Sequence, residues 1–144
     1  NIGAVSGGRY TGGISGYLDY DRAADSYNVG PVSGEYWTGG GFGLIIGSEV
    51  SRTYSSAEVT GSLQTGGLLG INNTSQVTDS FFNEALAPLA GSTGITPLSN
   101  DEMAKLESFT GFDFGGTWSI IQDESYPFLQ WQEGLFIPEK LILE

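Results

Sequence analysis

The pattern Thr-Gly-Gly-x-x-Gly occurs three times, at Thr11–Gly16, Thr38–Gly43 and Thr65–Gly70, at a constant 27-residue spacing. The residues after each copy keep the same register without a gap. Ser26-Tyr27, Thr53-Tyr54 and Ser80-Phe81 are equivalent, as are Ala23, Val50 and Val77, and Val5-Ser6-Gly7, Val32-Ser33-Gly34 and Val59-Thr60-Gly61. Between residues 11–34 and 38–61, 7 of 24 positions are identical. A fixed period of this size is the mark of a stacked-repeat architecture, in which one unit buries its apolar face only against the next.

Each unit is short of helix signals and rich in short apolar bursts broken by Gly, Asn, Ser and Asp. In the second unit, Phe42–Ile46, Val50–Ser55 and Glu58–Thr60 are expected strands. Twenty-seven residues are too few for a propeller blade, which needs about 40, and no leucine-rich pattern is present. Three strands and three turns per unit fit one coil of a parallel β-helix, with coils about 4.8 Å apart. Equivalent positions then stand above one another. Val5, Val32 and Val59 are expected to form one inward ladder, Tyr17, Leu44 and Ile71 a second, and Ala23, Val50 and Val77 a third. Tyr27, Tyr54 and Phe81 form an aromatic column. The pairs Gly12-Gly13, Gly39-Gly40 and Gly66-Gly67 suit corners where φ is positive or where backbones approach closely.

The period fails after Asn83. Residues 84–98 read as an exit loop. Ser99 with Glu102 forms a capping box, and a short helix over about 100–108 should bury Met103, Leu106 and Phe109. Trp118–Ile121 and Phe128–Trp131 read as a hairpin around 123–127, and the aromatic bulk of this region suits a lid over the open end of the stack. The expected fold is all-β: a right-handed parallel β-helix (β-solenoid) of about three 27-residue coils over residues 1–83, with units 11–37, 38–64 and 65–83 and the end of an earlier unit at 1–10. A C-terminal cap at 84–131 holds one short helix and a β-hairpin, and 132–144 is a linker or tail.

Composition narrows the function. Seventeen acids against five bases give a formal charge of −12, which repels nucleic-acid phosphates and anionic lipid headgroups. With no Cys and no His, the chain holds no disulfide, no Cys/His zinc site and no Ser-His-Asp triad. No apolar run approaches the roughly 20 residues of a membrane span. The chain opens on Asn1 and already carries the end of a repeat, so it reads as a piece of a longer protein.

Gly67-Leu68-Leu69-Gly70, then Asn72-Asn73, then Val77-Thr78-Asp79-Ser80-Phe81, resemble the GLUG repeat of bacterial and archaeal surface proteins. Gly94–Ser99, Glu102-Met103, Phe109–Phe114, Trp118–Ile120 and Ser125–Trp131 resemble the segment that closes such arrays. The first unit departs from the pattern at Tyr17–Tyr20, where a Gly/Asn turn is expected. The resemblance implies a β-solenoid in large secreted or wall-attached proteins, including adhesin-like haemagglutinins and the flanks of IgA-specific metallopeptidases. It implies no catalytic residue.

Three constellations invite chemistry. Asp19, Asp21 and Asp25 are alternate carboxylates of the kind that hold Ca²⁺, but they lack the Gly and distal Glu of an EF-hand loop, and Arg22 stands among them as a partner. Glu35, Glu49, Glu58 and Asp79 are the carboxylates available for polysaccharide hydrolysis, yet they fall at four unlike positions of the repeat. Tyr36 and Trp37, with Tyr10, Tyr17 and Tyr20, could form a platform for a sugar ring or pack along the flank. The resulting expectation is a non-catalytic structural or adhesive module, extracellular or on the cell surface, without cofactor unless Ca²⁺ binds. Its partners would be neighbouring domains of a longer chain and, in a binding role, a glycan or host surface protein. An accessory domain of a secreted protease or polysaccharide-acting enzyme is the further alternative.

Overall fold

In a computed structural model, residues 1–88 and 94–143 are described. Eleven strands carry the repeat region: β1 (Val5–Ser6), β2 (Thr11–Gly12), β3 (Ser15–Asp19), β4 (Arg22–Asn28), β5 (Val32–Gly39), β6 (Phe42–Ile46), β7 (Glu49–Ser55), β8 (Val59–Gly66), β9 (Leu69–Asn73), β10 (Gln76–Thr78) and β11 (Ser80–Asn83). They form three parallel sheets that the chain visits in turn. Every pair among these strands is offset by one 27-residue period: Val5 beside Val32 beside Val59, Thr11 beside Thr38 beside Thr65, Ala23 beside Val50 beside Val77, and Tyr27 beside Tyr54 beside Phe81. The molecule is thus all-β with in-register parallel ladders, and three of the four expected side-chain columns stand as expected.

The fourth column faces the other way. Tyr17, Leu44 and Ile71 are in register, but Tyr17 is 45% exposed and the other two are half-exposed, while Phe42 and Ile45 are fully buried. In a strand, one position decides the face, so an assignment displaced by one residue puts a column on the wrong side. Phe42, Ile45, Val50, Leu68, Leu69, Val77 and Phe82 make one interior cluster, and Val32, Ala57 and Val59 a smaller one.

The glycine doublets sit at the strand junctions because of close approach. None takes a left-handed φ. A Cβ on Gly13, Gly40 or Gly67 would lie 2.0–2.1 Å from the side chain of Asn28, Ser55 or Phe82, the column directly opposite. One on Gly12 or Gly39 would lie 2.2 or 2.0 Å from the carbonyl oxygen of Ser15 or Phe42. The left-handed bends occur elsewhere and also repeat: Tyr20, Gly47 and Thr74; Asp25, Arg52 and Asp79; Trp37 and Gln64. Only one of these eight residues is a glycine, so this set leaves little trace in composition.

After Asn83 the outcome departs from the expected exit loop. Strand β12 (Ile95–Leu98) adds to β11 in parallel, with Phe82 beside Pro97, an offset of 15 instead of 27. Pro97 lacks an N–H, which an edge position tolerates. The capping box forms, with the Ser99 N–H and hydroxyl both donating to the Glu102 carboxylate (2.9 and 2.7 Å), but no α-helix follows. Two 3₁₀ turns, Glu102–Ala104 and Leu106–Ser108, flank an extended Lys105. The Ala104 carbonyl accepts the Asp123 N–H at 2.8 Å and the Leu106 N–H donates to Gln122 Oε1 at 3.1 Å. Tertiary partners thereby take groups that would have continued the helix. Met103 and Phe109 are buried as expected, whereas Leu106 is exposed.

The hairpin is present but shorter, β13 (Trp118–Ser119) against β14 (Phe128–Leu129), antiparallel, with Gln130–Gln132 turning into a 3₁₀ segment. It does not lie over an end of the stack. Its aromatics pack with Tyr27, Tyr54 and Phe81 in a third apolar cluster, so this region lies along the flank across all three units. The 132–143 segment also stays with it: the Tyr126 N–H donates to Pro138 O (2.9 Å), the Lys140 N–H to Glu124 O (2.8 Å) and the Leu141 N–H to the Tyr126 hydroxyl (3.1 Å).

The doublet geometry predicts a paired outcome. Gly40→Ala, whose Cβ would meet Ser55 Oγ at 2.1 Å and Gly67 O at 2.2 Å, should lower unfolding free energy by about 3 kcal/mol. Gly8→Ala, with nothing within 4 Å, should stay within about 0.5 kcal/mol in the same denaturant titration.

Candidate functional site

Two surfaces gather the side chains that the sequence singles out. The first is the junction between the β4/β7/β11 sheet and the C-terminal region. The left-handed bend at residue 25 of the first unit, and at its equivalents, lets the chain turn Tyr27, Tyr54 and Phe81 outward while Asn28, Ser55 and Phe82 face in against the glycines. Tyr27 and Tyr54 stack at 5.1 Å and 9°. Fully buried Trp118 lies 6.0 and 6.1 Å from these two rings and 4.6 Å from Phe112. Phe109 meets Tyr54 and Phe81 edge-on at 5.8 and 5.1 Å. Both hydroxyls are used: Tyr27 donates to Gln132 Oε1 at 2.8 Å, and Tyr54 to the Pro127 carbonyl at 2.5 Å. Burial pushes the Tyr54 hydroxyl well above its ordinary pKa.

Asp25 belongs to this junction. Arg52, one unit on, grips its carboxylate with Nε at 2.8 Å and Nη2 at 2.9 Å, and the Trp118 indole N–H adds a third donor at 3.1 Å. These donors, the guanidinium first, hold the carboxyl below its usual pKa. The other two carboxylates of the trio are elsewhere. Asp21 accepts the Arg22 N–H at 2.8 Å, and Asp19 ends β3. Arg22 pairs with Glu49 at 2.9 Å. Asp19, Asp21 and Asp25 therefore do not converge, and among the described residues no three His, Cys, Asp or Glu side chains gather to hold a metal ion.

The second surface is the flank carrying Tyr36 and Trp37. Trp37 stacks on Tyr10 at 5.0 Å and 10°, takes the Arg9 guanidinium carbon 5.9 Å from its ring centre, and donates its indole N–H to Gln64 Oε1. Tyr10 leans on Tyr17 at 5.5 Å. These rings pack against one another, which leaves Trp37 little open face for a sugar. Tyr36 is different: 44% exposed, it stands beside Leu63, 56% exposed, in the next unit. Sequence reasoning missed Arg9, Gln64 and Leu63 here, and Arg52, Trp118 and Gln132 at the junction. Arg52 and Gln64 were accessible in principle, since each lies one repeat period after its partner, Asp25 or Trp37. Trp118 and Gln132 carry no periodic signal.

A hollow of about 600 Å³ lies beside residues 137–143, lined by Asp101, Asp123, Glu124, Glu139 and Lys140 among others. Lys140 and Asp101 pair there at 2.6 Å. Among the described residues no helix is long and apolar enough to cross a membrane.

The Asp25 fork predicts a pH signature. A carboxyl whose folded pKa is depressed contributes stability that is present above its unfolded value, near 4, and lost as pH falls through the folded value. Asp25→Asn should therefore cost about 1 kcal/mol at pH 7, a modest figure because the pair is part-exposed. The gap between the denaturation curves of the variant and the parent should narrow progressively as pH falls below the ordinary carboxyl value and through the depressed one. No family model matches this chain, and neither a curated protein nor a solved structure matches it.

Proposed function

We propose that this chain is a non-catalytic structural module, a right-handed parallel β-helix acting as a rigid spacer on the outside of a prokaryotic cell, of the kind the GLUG resemblance implies. The observation that carries the reading is the single 27-residue offset shared by all three parallel sheets of the repeat. Such a ladder fixes every strand at about 4.8 Å from the next, so length grows by whole units and bending is resisted by backbone hydrogen bonds in three sheets at once. Three of the side chains singled out for chemistry are engaged in holding units together: Asp25 with Arg52, Glu49 with Arg22, and Trp37 with Tyr10 and Gln64. A charge of −12 keeps such a rod from adhering to nucleic acid.

One observation favours a second reading, a binding flank. Tyr36 and Leu63 expose two large apolar side chains in one column of a rigid sheet, where aromatic and aliphatic anchors serve recognition. A glycan array, with a panel of host surface proteins beside it, separates the two. The spacer reading expects no ligand whose retention falls when Tyr36→Ala and Leu63→Ser are introduced together. A ligand held by the parent chain and released at least tenfold by that double variant would replace the spacer with an adhesive role.

A further inference from the structure

The outward face of the β3/β6/β9 sheet carries apolar side chains where a solvated strand would carry polar ones. Tyr17, Leu44 and Ile71 stand in one outward column, and Asp19, Ile46 and Asn73 in the next. Leu44, Ile46 and Ile71 are half-exposed, while Tyr17, Asp19 and Asn73 are exposed. Partial desolvation, then the Asp19 carboxylate and the Tyr10 and Tyr20 hydroxyls, hold the Tyr17 hydroxyl above its ordinary pKa, so these groups share one surface. At the corner that follows, Tyr20 takes a left-handed φ of 50°, a conformation that glycine provides one unit on, at Gly47. The Tyr20 ring fills the place of the Cβ that Gly47 lacks: such an atom would lie 2.6 and 2.7 Å from Cε1 and Cδ1. The ring therefore rests on the backbone of the second unit. At 80% exposure Tyr20 is also far more open than Tyr10, Tyr17 or Tyr36, at 39%, 45% and 44%.

Area and charge select what this face can hold. Three strands ~4.8 Å apart and five residues of ~3.3 Å each give it an area of roughly 240 Å². A standard protein interface covers about 800 Å² per partner, so the face is too small for one and suits a short chain of small rings. A formal charge of −12 disfavours an acidic ligand. We propose that Tyr17, Asp19 and Tyr20, with Ile46 and Asn73 on the adjoining rungs, form a binding site for a neutral pyranose oligosaccharide. The electron-rich ring of Tyr20 takes the C–H face of one sugar, as aromatic faces take positively polarised edges. The Asp19 carboxylate accepts from sugar hydroxyls, and the Asn73 amide both donates and accepts. Ile46, between Asp19 and Asn73 in the same column, supplies the apolar floor. The site adds a ligand to the spacer and does not depend on the Tyr36–Leu63 column, which belongs to the β5/β8 sheet.

The test passes the whole chain over immobilised cellohexaose, mannohexaose and chitohexaose, with polygalacturonate as the acidic counterpart. At least one neutral oligosaccharide should be retained, and its affinity should fall about tenfold in Tyr20→Ala and in Asp19→Asn. The Tyr36→Ala, Leu63→Ser double variant should bind as the parent does. Tyr20→Ala should unfold near the parent's denaturant midpoint, because the side chain is largely exposed. As a second measurement, the retained oligosaccharide should shift the amide resonances of Ile46, Gly47 and Asn73 and leave those of Val59–Gly66 in place. Failure of all three neutral oligosaccharides to bind, equal retention of polygalacturonate, or binding that survives Tyr20→Ala would each overturn the proposal. So would resonance shifts confined to other strands, or a parent dimer that Tyr20→Ala abolishes, which would show a second copy covering the face. Binding lost only in the double variant would overturn this site and support the Tyr36–Leu63 flank in its place.

Discussion

Parallel backbone pairing at one constant offset is the constraint on which everything else in this chain rests. Because each strand pairs with the residue 27 positions away, a choice made at one position is repeated immediately above and below it. Valine stacks on valine, threonine on threonine and tyrosine on tyrosine. The same rule makes polar choices costly to get wrong. Arg52 answers Asp25 and Glu49 answers Arg22, opposite charges in adjacent rungs, where like charges in one column would repel. Register is specified by these columns as much as by apolar pattern.

Glycine serves this ladder in a particular way. Gly13, Gly40 and Gly67 leave the interior thin enough that Asn28, Ser55 and Phe82 reach across to the opposite backbone. Asn28 uses that approach to donate to Gly30 O and Gly40 O, both at 2.8 Å, satisfying its buried amide. A second file, Gly7, Gly34 and Gly61, makes room for Thr11, Thr38 and Thr65, each glycine's missing Cβ lying 2.2–2.6 Å from the matching hydroxyl. Those hydroxyls have no hydrogen-bond partner among the described residues, and the adjacent glycine Cα–H groups are what face them. Shape, more than hydrogen bonding, holds the threonine file in place.

The flank carries the other half of the apolar core. Tyr27, Tyr54 and Phe81 would be a greasy stripe on the outside of the sheets, and the C-terminal region supplies Phe109, Phe112, Trp118 and Tyr126 to cover it. Aromatic pairs at 4.6–6.1 Å, mostly tilted or edge-on, add to burial along that seam. The covering segment reaches all three units, so it clamps their spacing. Tyr126, which donates to Asn100 Oδ1 at 2.5 Å and accepts from the Leu141 N–H, ties the last residues into the same clamp.

The sequence alone determined the period, the parallel sheets, the three columns that stand as expected and the strands Phe42–Ile46 and, to within one residue, Glu49–Ser55, because each is a local pattern copied at a fixed distance; the strand expected at Glu58–Thr60 instead runs from Val59 to Gly66. It also located the capping box at Ser99 and Glu102 and the residues of the short hairpin. Only the tertiary structure decided which way a column points, where the chain bends left-handed, and where the C-terminal region lies. Tyr17 faces outward although it keeps the period, because periodicity is silent about face and the buried column is the next one along, that of Leu18 and Ile45. The bends at Asp25, Arg52 and Asp79 use ordinary residues, held by neighbours one rung away instead of by glycine. The helix expected at 100–108 yielded to bonds from Gln122 and Asp123, partners too far along the chain for any local propensity to report. Asp25 became a structural anchor, and Trp37 a packed ring, through contacts that exist only once the units are stacked.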